Sequence, residues 1–229
     1  MRLHPIRVFC FHQVSEWLDK SVYAEPDWMS LLELKNKIQL LRSDGYNFIS
    51  LQEAYRHINE DRVRLRKYAV LTCDDGLKCQ AALIPWLESE KIPMTMFVSA
   101  KNLEGETCGE QILEYFGISD KTKEKELAQK LYLSEKELHR LRSPFVEIGM
   151  HGYEHNDVSL MPISDFERSV GLCRTILQDH PCYAPFYAYA YGRHTTKTDE
   201  ILLNTNVVPV YMDGQKNYDD ASCIHRELL

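Results

Sequence analysis

Short apolar runs alternate with amphipathic stretches along most of the chain. The runs are rich in β-branched and aromatic residues, which predicts strands, and the stretches repeat apolar residues at a period near 3.6, which predicts helices. The strand candidates are, in order, IRVFCF, YNFIS, KYAVLTC, PMTMFV, FVEIGM, PFYAYAY and VVPVYM. The helix candidates are residues 27–44, 80–90, 164–179 and 197–204. Ser164 and Glu167 form a capping-box pattern at the start of the third helix.

This order of elements predicts an α/β protein with a mostly parallel sheet, because strands that alternate with helices are joined by crossover connections. Seven such units favour a closed, distorted (β/α) barrel over two separate domains. We therefore predict a single domain over residues 1–229.

The segment around residues 104–142 interrupts the alternation. It contains the charged tract SDKTKEKELAQKLYLSEKELHRL, which favours helices and includes no clear strand. Such a density of charge is more typical of a solvated helix face than of a binding site. We predict that this segment is a helical insertion on the rim of the barrel.

Composition and charge narrow the class of protein. The net charge of −7 disfavours a nucleic-acid-binding protein, which normally carries a basic face. No apolar run approaches the roughly 20 residues that span a bilayer. The start, MRLHPIRVFCFHQV, is interrupted by Arg7 and is more typical of a first strand than of a signal peptide. The seven cysteines are irregularly spaced, which favours reduced thiols and a cytoplasmic protein.

Three polar clusters each follow a predicted strand. Asp74 and Asp75 close KYAVLTC, His151 and His155 follow FVEIGM, and YGRH closes the aromatic strand. The carboxyl ends of parallel barrel strands lie on one rim, and that rim carries the active site. We therefore expect the three clusters to converge. A helical turn between the two histidines would place both rings on one side.

The clusters together predict a divalent metal site. Two adjacent carboxylates repel each other, whereas two imidazoles and one carboxylate are a common zinc ligand set that leaves a position open for water. One aspartate would then be a ligand and the other a base. Taken singly, the Asp-Asp-Gly sequence is also typical of a turn, His-x-x-x-His of surface histidines, and YAYAY of core packing. Zinc is favoured by these ligand types, with cobalt or nickel as alternatives.

The motifs VLTCDDG, MTMFV, EIGMHGYEHNDVS and FYAYAYG resemble those of the polysaccharide deacetylase family, carbohydrate esterase family 4. Its members usually read T-F-D-D-G, then H-(S/T)-x-x-H, then a strand such as F-A-Y-P-Y-G. FCFHQV and GYNFISLQEA also resemble stretches of many bacterial members. The resemblance runs from about Val8 to about Gly192, apart from the insertion after Leu103. It implies a distorted (β/α) barrel of about seven strands.

The resemblance also implies roles for individual residues. Asp75, His151 and His155 correspond to the metal ligands, and Asp74 corresponds to the general base that takes a proton from the attacking water. The backbone N–H of Tyr191 corresponds to a donor that stabilises the oxyanion. The implied reaction is hydrolysis of the N-acetyl amide of a sugar, which yields a free amine and acetate.

The resemblance leaves the proton donor and the substrate contacts less defined. A late histidine usually protonates the leaving amine in this family, which indicates His225 in SCIHREL, with His194 as an alternative. Arg226 would hold the substrate or a carboxylate, and we assign it to substrate. In a strand, only one of His225 and Arg226 faces the site. His12 ends the first strand on the same rim and is also assigned to substrate.

Three positions depart from the family pattern: Cys73 replaces Phe, Gly152 replaces Ser or Thr, and Ala190 replaces Pro. We expect Cys73 to pack as an apolar residue. None of the three removes a ligand or the base, so they indicate a divergent member.

The leading hypothesis is therefore a metal-dependent N-deacetylase that acts on an N-acetylated carbohydrate. The predicted cytoplasmic location favours a glycan precursor or a lipid-linked sugar over assembled cell wall. The alternatives are an amidohydrolase for a small non-sugar amide or formamide, and a catalytically degenerate barrel that binds a glycan.

Overall fold

The computed structural model describes residues 4–14, 29–60, 65–106, 113, 119–219 and 222–229. The strands are β1 (Ile6–Phe11), β2 (Tyr46–Phe48), β3 (Lys67–Cys73), β4 (Met94–Val98), β5 (Val146–Met150), β6 (Tyr183–Ala188), β7 (Val208–Met212) and β8 (Ile224–Leu228). The α-helices are α1 (Leu31–Ser43), α2 (Leu51–Glu60), α3 (Lys78–Ala81), α4 (Ile84–Glu90), α5 (Glu124–Leu131), α6 (Glu135–Arg140), α7 (Ile163–Leu177) and α8 (Thr196–Asn204). Among the described residues, no helix combines the length and apolarity needed to cross a membrane.

Seven of the strands close into a parallel barrel. The order β1-β8-β7-β6-β5-β4-β3 returns to β1, because β3 pairs with β1 along six residue pairs. β2 lies outside this ring: it pairs with the first half of β3, on the edge where β4 pairs with the second half. The predicted distorted (β/α) barrel of about seven strands is confirmed. Its membership differs from the seven sequence candidates, since β8 replaces β2 in the ring.

Alternation along the strands divides the core into two layers. Inward-facing side chains fill the barrel with the apolar cluster Ile6, Val8, Val70, Phe97, Ala184, Phe186, Ala188, Val210 and Ile224. Outward-facing side chains pack against the helices, among them Phe9, Leu71, Met96, Ile148 and Tyr187. Because the period of a strand is two, Asp74 shares the inward direction of Val70, and Cys73 shares the outward direction of Leu71.

Helix α2 covers the N-terminal end of the barrel. Leu51, Ala54 and Ile58 belong to the interior cluster. The carboxylate of Glu147, on β5, accepts hydrogen bonds from the backbone N–H of Leu51 at 2.9 Å and of Gln52 at 3.2 Å. A carboxylate at a helix N-terminus satisfies exposed N–H groups and complements the helix dipole. The C-terminal rim is therefore the end of the barrel at which a site can open.

The helices largely follow the sequence pattern, but α2 is not among the predicted helices, and two further details differ. Residues 27 and 28 of the first predicted helix lie outside the described residues. Residues 80–90 form two short helices rather than one, the second with proline in its first turn. The predicted capping box at Ser164 is wrong: α7 begins at Ile163, and Pro162 occupies the cap position. The cap therefore lies two residues before Ser164, at a helix start where the missing N–H of proline is tolerated.

Part of the segment 104–142 contacts the turn that follows the aspartate pair. The backbone N–H of Leu133, between α5 and α6, donates to the carbonyl of Gly76 at 3.0 Å. Leu77 and Tyr132 form an isolated antiparallel bridge beside it. Residues 107–112 and 114–118 of the segment lie outside the described residues.

Candidate metal centre

The turn after β3 directs two adjacent carboxylates to the same rim. In an extended chain Asp74 and Asp75 would point to opposite sides. Instead, Asp75 has φ 78° and Gly76 has φ 76°, both in the left-handed region. Aspartate tolerates this region better than most residues, and a Cβ at Gly76 would lie 3.0 Å from Val98 Cγ1, so glycine fits there best.

The loop after β5 brings the two histidine rings together without the predicted helical turn. Gly152 has φ 82° and His155 has φ 56°, and these two left-handed residues fold the loop back. The ring centroids of His151 and His155 are 4.9 Å apart. His151 Nδ1 lies 2.9 Å from the carbonyl oxygen of Ala188, so Nδ1 carries the proton and Nε2 presents a lone pair.

The structure brings the three predicted metal ligands, Asp75, His151 and His155, into one cluster. Asp75 Oδ1 lies 3.5 Å from His151 Nε2 and 3.3 Å from His155 Nε2. One ligand atom from each residue lies within 4.8 Å of the others. His151 is buried, whereas the side chains of His155 and Asp75 keep 29% and 18% of their surface, so the cluster is open on one side.

The charge states of this cluster suit a cation. Burial lowers the pKa of His151 to about 4, so the ring is neutral near pH 7. Burial by itself would raise the pKa of Asp75, but the hydrogen bond and charge of His155, with smaller effects of His12 and His151, lower it to about 2. A lone pair on His151 Nε2 therefore faces a carboxylate oxygen with no proton between them. Carboxylate and imidazole together are the ligand types that zinc takes, and a divalent ion satisfies both.

Asp74 has a different partner. Its carboxylate accepts two hydrogen bonds from Arg226, with Nη1 to Oδ1 at 2.6 Å and Nη2 to Oδ2 at 2.8 Å. Arg226 Nη1 also lies 3.1 Å from Thr72 Oγ1 and 3.3 Å from Cys10 Sγ. Burial would raise the pKa of Asp74, but the charges of Arg226 and His151 hold it well below its usual range. Asp74 is therefore a buried, ionised carboxylate beside the cluster, with Oδ2 at 3.9 Å from His151 Nε2.

This geometry corrects the prediction that Arg226 binds substrate. The residue is 1% exposed, and both of its terminal nitrogens are engaged by Asp74. The reason is the alternation along β8, which turns Ile224 and Arg226 into the barrel. Arg226 therefore holds a carboxylate, which was the other role that the sequence left open.

The same alternation turns His225 away from Asp74. Its Nδ1 lies 2.8 Å from Asp213 Oδ2, and its Nε2 lies 3.6 Å from Cys223 Sγ. The structure thus does not bring His225 into the ligand cluster. His194, the alternative proton donor, has its Nδ1 3.1 Å from a carboxylate oxygen of Asp199.

His12 and Tyr191 both lie at the cluster. The charge of His12 lowers the pKa of both Asp74 and Asp75, as expected for a ring at the same rim. Tyr191 has φ 59°, and its hydroxyl lies 3.3 Å from Nδ1 of His155. The sequence assigned Tyr191 only a backbone role. The contact of its side chain with His155 has no signal in the local pattern, because 36 residues separate the two.

Two of the three departures from the family pattern, Cys73 and Gly152, have local explanations. Cys73 is fully buried on the outward face of β3, 3.7 Å from Met94 Sδ, and therefore packs as an apolar residue. At Gly152, a Cβ would lie 3.1 Å from the hydroxyl of Tyr187, and the positive φ would strain a serine or threonine. Ala190 begins a short 3₁₀ turn.

A sequence model described as polysaccharide deacetylase matches residues 61–210, a range that contains the aspartate pair, both histidines and Tyr191. No curated protein matches the chain.

Among solved structures, IcaB from Ammonifex degensii is 22% identical with a TM-score of 0.75, covering 99% of this chain and 92% of that chain. The deacetylase PplD of Streptococcus pyogenes, solved in complex with acetate, is 16% identical with a TM-score of 0.75, covering 100% and 93%. The BpsB deacetylase domain from Bordetella bronchiseptica is 16% identical with a TM-score of 0.70, covering 98% and 95%. At these identities the likeness shows a shared fold. Because the family's sequence model covers well over half of the chain, the chain belongs to the polysaccharide deacetylase family.

Proposed function

We propose that this protein is a metal-dependent hydrolase that removes an N-acetyl group from an N-acetylated sugar or glycan precursor. The observation that carries the proposal is the meeting of Asp75, His151 and His155 at the barrel rim, beside the ionised carboxylate of Asp74. Membership of the polysaccharide deacetylase family supports the reaction type.

Asp75, His151 and His155 would hold the divalent ion. When bound, such an ion lowers the pKa of a water and polarises an acyl carbonyl. Each imidazole is oriented by a contact through its other nitrogen, His151 by the carbonyl of Ala188 and His155 by the hydroxyl of Tyr191. Contacts of this kind fix the tautomer and the orientation of an imidazole that binds a metal. The ligand types favour zinc, with cobalt or nickel as alternatives.

Asp74 is proposed as the general base. Arg226 keeps its carboxylate charged and fixed in direction, so that it can accept a proton from water without first losing one. The same ion pair makes Asp74 a weak base, because its pKa is held well below the usual range. Such a base suffices only for a water that is already acidified, which agrees with a metal ion at the neighbouring cluster.

Tyr191 is proposed to donate its backbone N–H to the oxyanion that develops on the acyl group. The contact of its side chain with His155 supports this role, because it fixes Tyr191 at the rim. Removing one such donor typically costs about 100- to 1000-fold in rate. His12 is proposed to contact the substrate at the same rim.

The proton donor is proposed to be one of two histidines that are each paired with an aspartate, His225 with Asp213 and His194 with Asp199. The geometry favours His194. It lies three residues after Tyr191 in the rim loop, whereas Nε2 of His225 faces Cys223. Replacing each histidine by alanine separates them: the donor's loss lowers kcat, and loss of the other leaves kcat nearly unchanged.

The test of the proposal is acetate release from N-acetylated sugar oligomers by purified protein. Release should stop when a chelator removes the metal and return when zinc is added. Release of formate, or hydrolysis only of small non-sugar amides, would favour the amidohydrolase alternative. Bound metal without turnover of any amide would favour a barrel that only binds glycans. The cytoplasmic location stays a prediction.

A further inference from the structure

Gln80 is a fully buried polar residue in α3, just after the aspartate turn. Burying an amide without hydrogen bonds costs free energy, so the partners of a buried glutamine show what it holds in place. Neither the sequence pattern nor the family motifs assign it a role.

The Gln80 amide joins two segments of the rim. Its Oε1 accepts the backbone N–H of Leu77 at 2.9 Å. Its Nε2 donates to the carbonyl of Asp74 at 2.5 Å and to the carbonyl of His12 at 2.9 Å. Both N–H donors and the carbonyl oxygen are thereby used. One side chain thus ties the end of β1 to the turn after β3, across 68 residues of sequence.

The aspartate turn needs such a restraint. Asp75 is a non-glycine residue with φ 78°, a conformation that persists only when its surroundings enforce it. Gln80 fixes the turn on both sides of Asp75, through the carbonyl of Asp74 and the N–H of Leu77. Metal ligands must be held within about 0.5 Å of their productive positions, so loosening this turn would weaken the site.

We propose that Gln80 is a positioning residue of the metal centre: its amide holds the turn so that Asp75 meets the two histidines. It also fixes the backbone of His12 at the same rim. This inference rests on the proposed metal site.

The test compares two variants that lose similar contacts at opposite ends of the barrel. Gln80→Met keeps the length of the side chain and removes its hydrogen bonds. The matched control is Glu147→Met, which removes the hydrogen bonds to Leu51 and Gln52 and one from Thr95 at the covered end. Zinc affinity is measured by competition with a chromogenic chelator. The melting temperature of the metal-free protein and kcat and KM at saturating zinc are measured alongside.

We expect Gln80→Met to lower zinc affinity about 10- to 100-fold and to lower kcat with little change in KM. Glu147→Met should lower the melting temperature and leave zinc affinity within about twofold, because its contacts lie far from the site. Gln80→Glu provides a second variant. It keeps the oxygen that accepts from Leu77, but replaces the donating Nε2 by an oxygen that faces the carbonyls of Asp74 and His12. We expect the same loss of zinc affinity.

The inference would be overturned if the folded Gln80 variants kept the zinc affinity and kcat of the wild type and showed only a lower melting temperature. That result would leave the proposed function intact. Equal losses of zinc affinity in Gln80→Met and Glu147→Met would overturn it as well, because they would reflect general destabilisation. Failure of the wild-type protein to bind zinc would overturn the proposed metal site, and this inference with it.

Discussion

Asp74 and Asp75 are neighbours of the same residue type with different surroundings. The carboxylate of Asp74 is paired with the buried guanidinium of Arg226, and that of Asp75 faces His151 and His155. The left-handed turn allows each carboxylate its own partner, which offsets the electrostatic repulsion between the two adjacent anions. Environment, rather than residue type, thus separates the proposed base from the proposed metal ligand.

At the residue scale, Asp74→Asn is expected to abolish acetate release while zinc remains bound, because the variant loses the proposed base and keeps all three proposed ligands. It should also lower the free energy of unfolding by about 3–5 kcal/mol, since the buried Arg226 loses its counter-charge. Acetate assay, elemental analysis and urea unfolding measure the three effects.

The control for Asp74→Asn is the double variant with Arg226→Leu, which removes the uncompensated charge. It should recover much of the stability and none of the activity. An Asp74→Asn variant that loses zinc, together with an Asp75→Asn variant that keeps it, would show that the two roles are reversed.

The buried imidazole of His151 predicts a pH dependence of stability in the metal-free protein. Its pKa is lowered by burial from 6.5 to about 4, so between these values the unfolded chain binds a proton that the folded chain does not. The contribution of His151 to the free energy of unfolding is therefore fully present above pH 6.5. It is lost on acidification towards pH 4, and the loss is at most about 3 kcal/mol. Asp75, with a pKa of about 2, contributes stability that is lost only below its ordinary value of 3.8.

Urea unfolding of the metal-free protein, with the buffer set to pH 7.0, 5.5 and 4.5, measures this loss of stability. A His151→Gln variant should show a flatter profile over the same range. A wild-type profile no steeper than that of His151→Gln would contradict a buried, neutral His151.

At the element scale, strands were predictable where their pattern is local. β1 and β3 have the bounds of the runs IRVFCF and KYAVLTC, because both are nearly continuous apolar segments. β8, with the sequence IHREL, has three polar residues between two apolar ones, so its local pattern does not predict a strand. What makes it a strand is non-local: Arg226 meets Asp74 across 152 residues. The left-handed residues Gly152 and His155 likewise depend on tertiary contacts.

The segment between α5 and α6 supports the aspartate turn through its backbone. Leu133→Pro would remove the N–H that donates to Gly76, whereas Leu133→Ala would keep it and shorten the side chain. We expect zinc affinity to fall further in the proline variant than in the alanine variant, with chelator competition as the measurement. Equal affinities would show that the turn does not depend on this hydrogen bond.

At the scale of the whole molecule, the site is assembled from segments far apart in the sequence. The family match at residues 61–210 contains the proposed base, the proposed ligands and Tyr191, but His12 on the β1 side and Arg226 on β8 lie outside it. Barrel closure places β1 between β3 and β8 and so brings both ends of the described chain to the aspartate pair. The motifs could therefore predict that Asp75, His151 and His155 cluster, whereas the pairing of Asp74 with Arg226 depends on the closed barrel.

The most direct measurement is the zinc content of the purified protein and of Asp75→Asn, determined by elemental analysis after dialysis against zinc and then buffer. The wild-type protein should retain about one zinc ion per chain, and Asp75→Asn should retain far less while remaining folded by circular dichroism. Equal zinc content in the two proteins, or none in either, would contradict a metal centre formed by Asp75, His151 and His155.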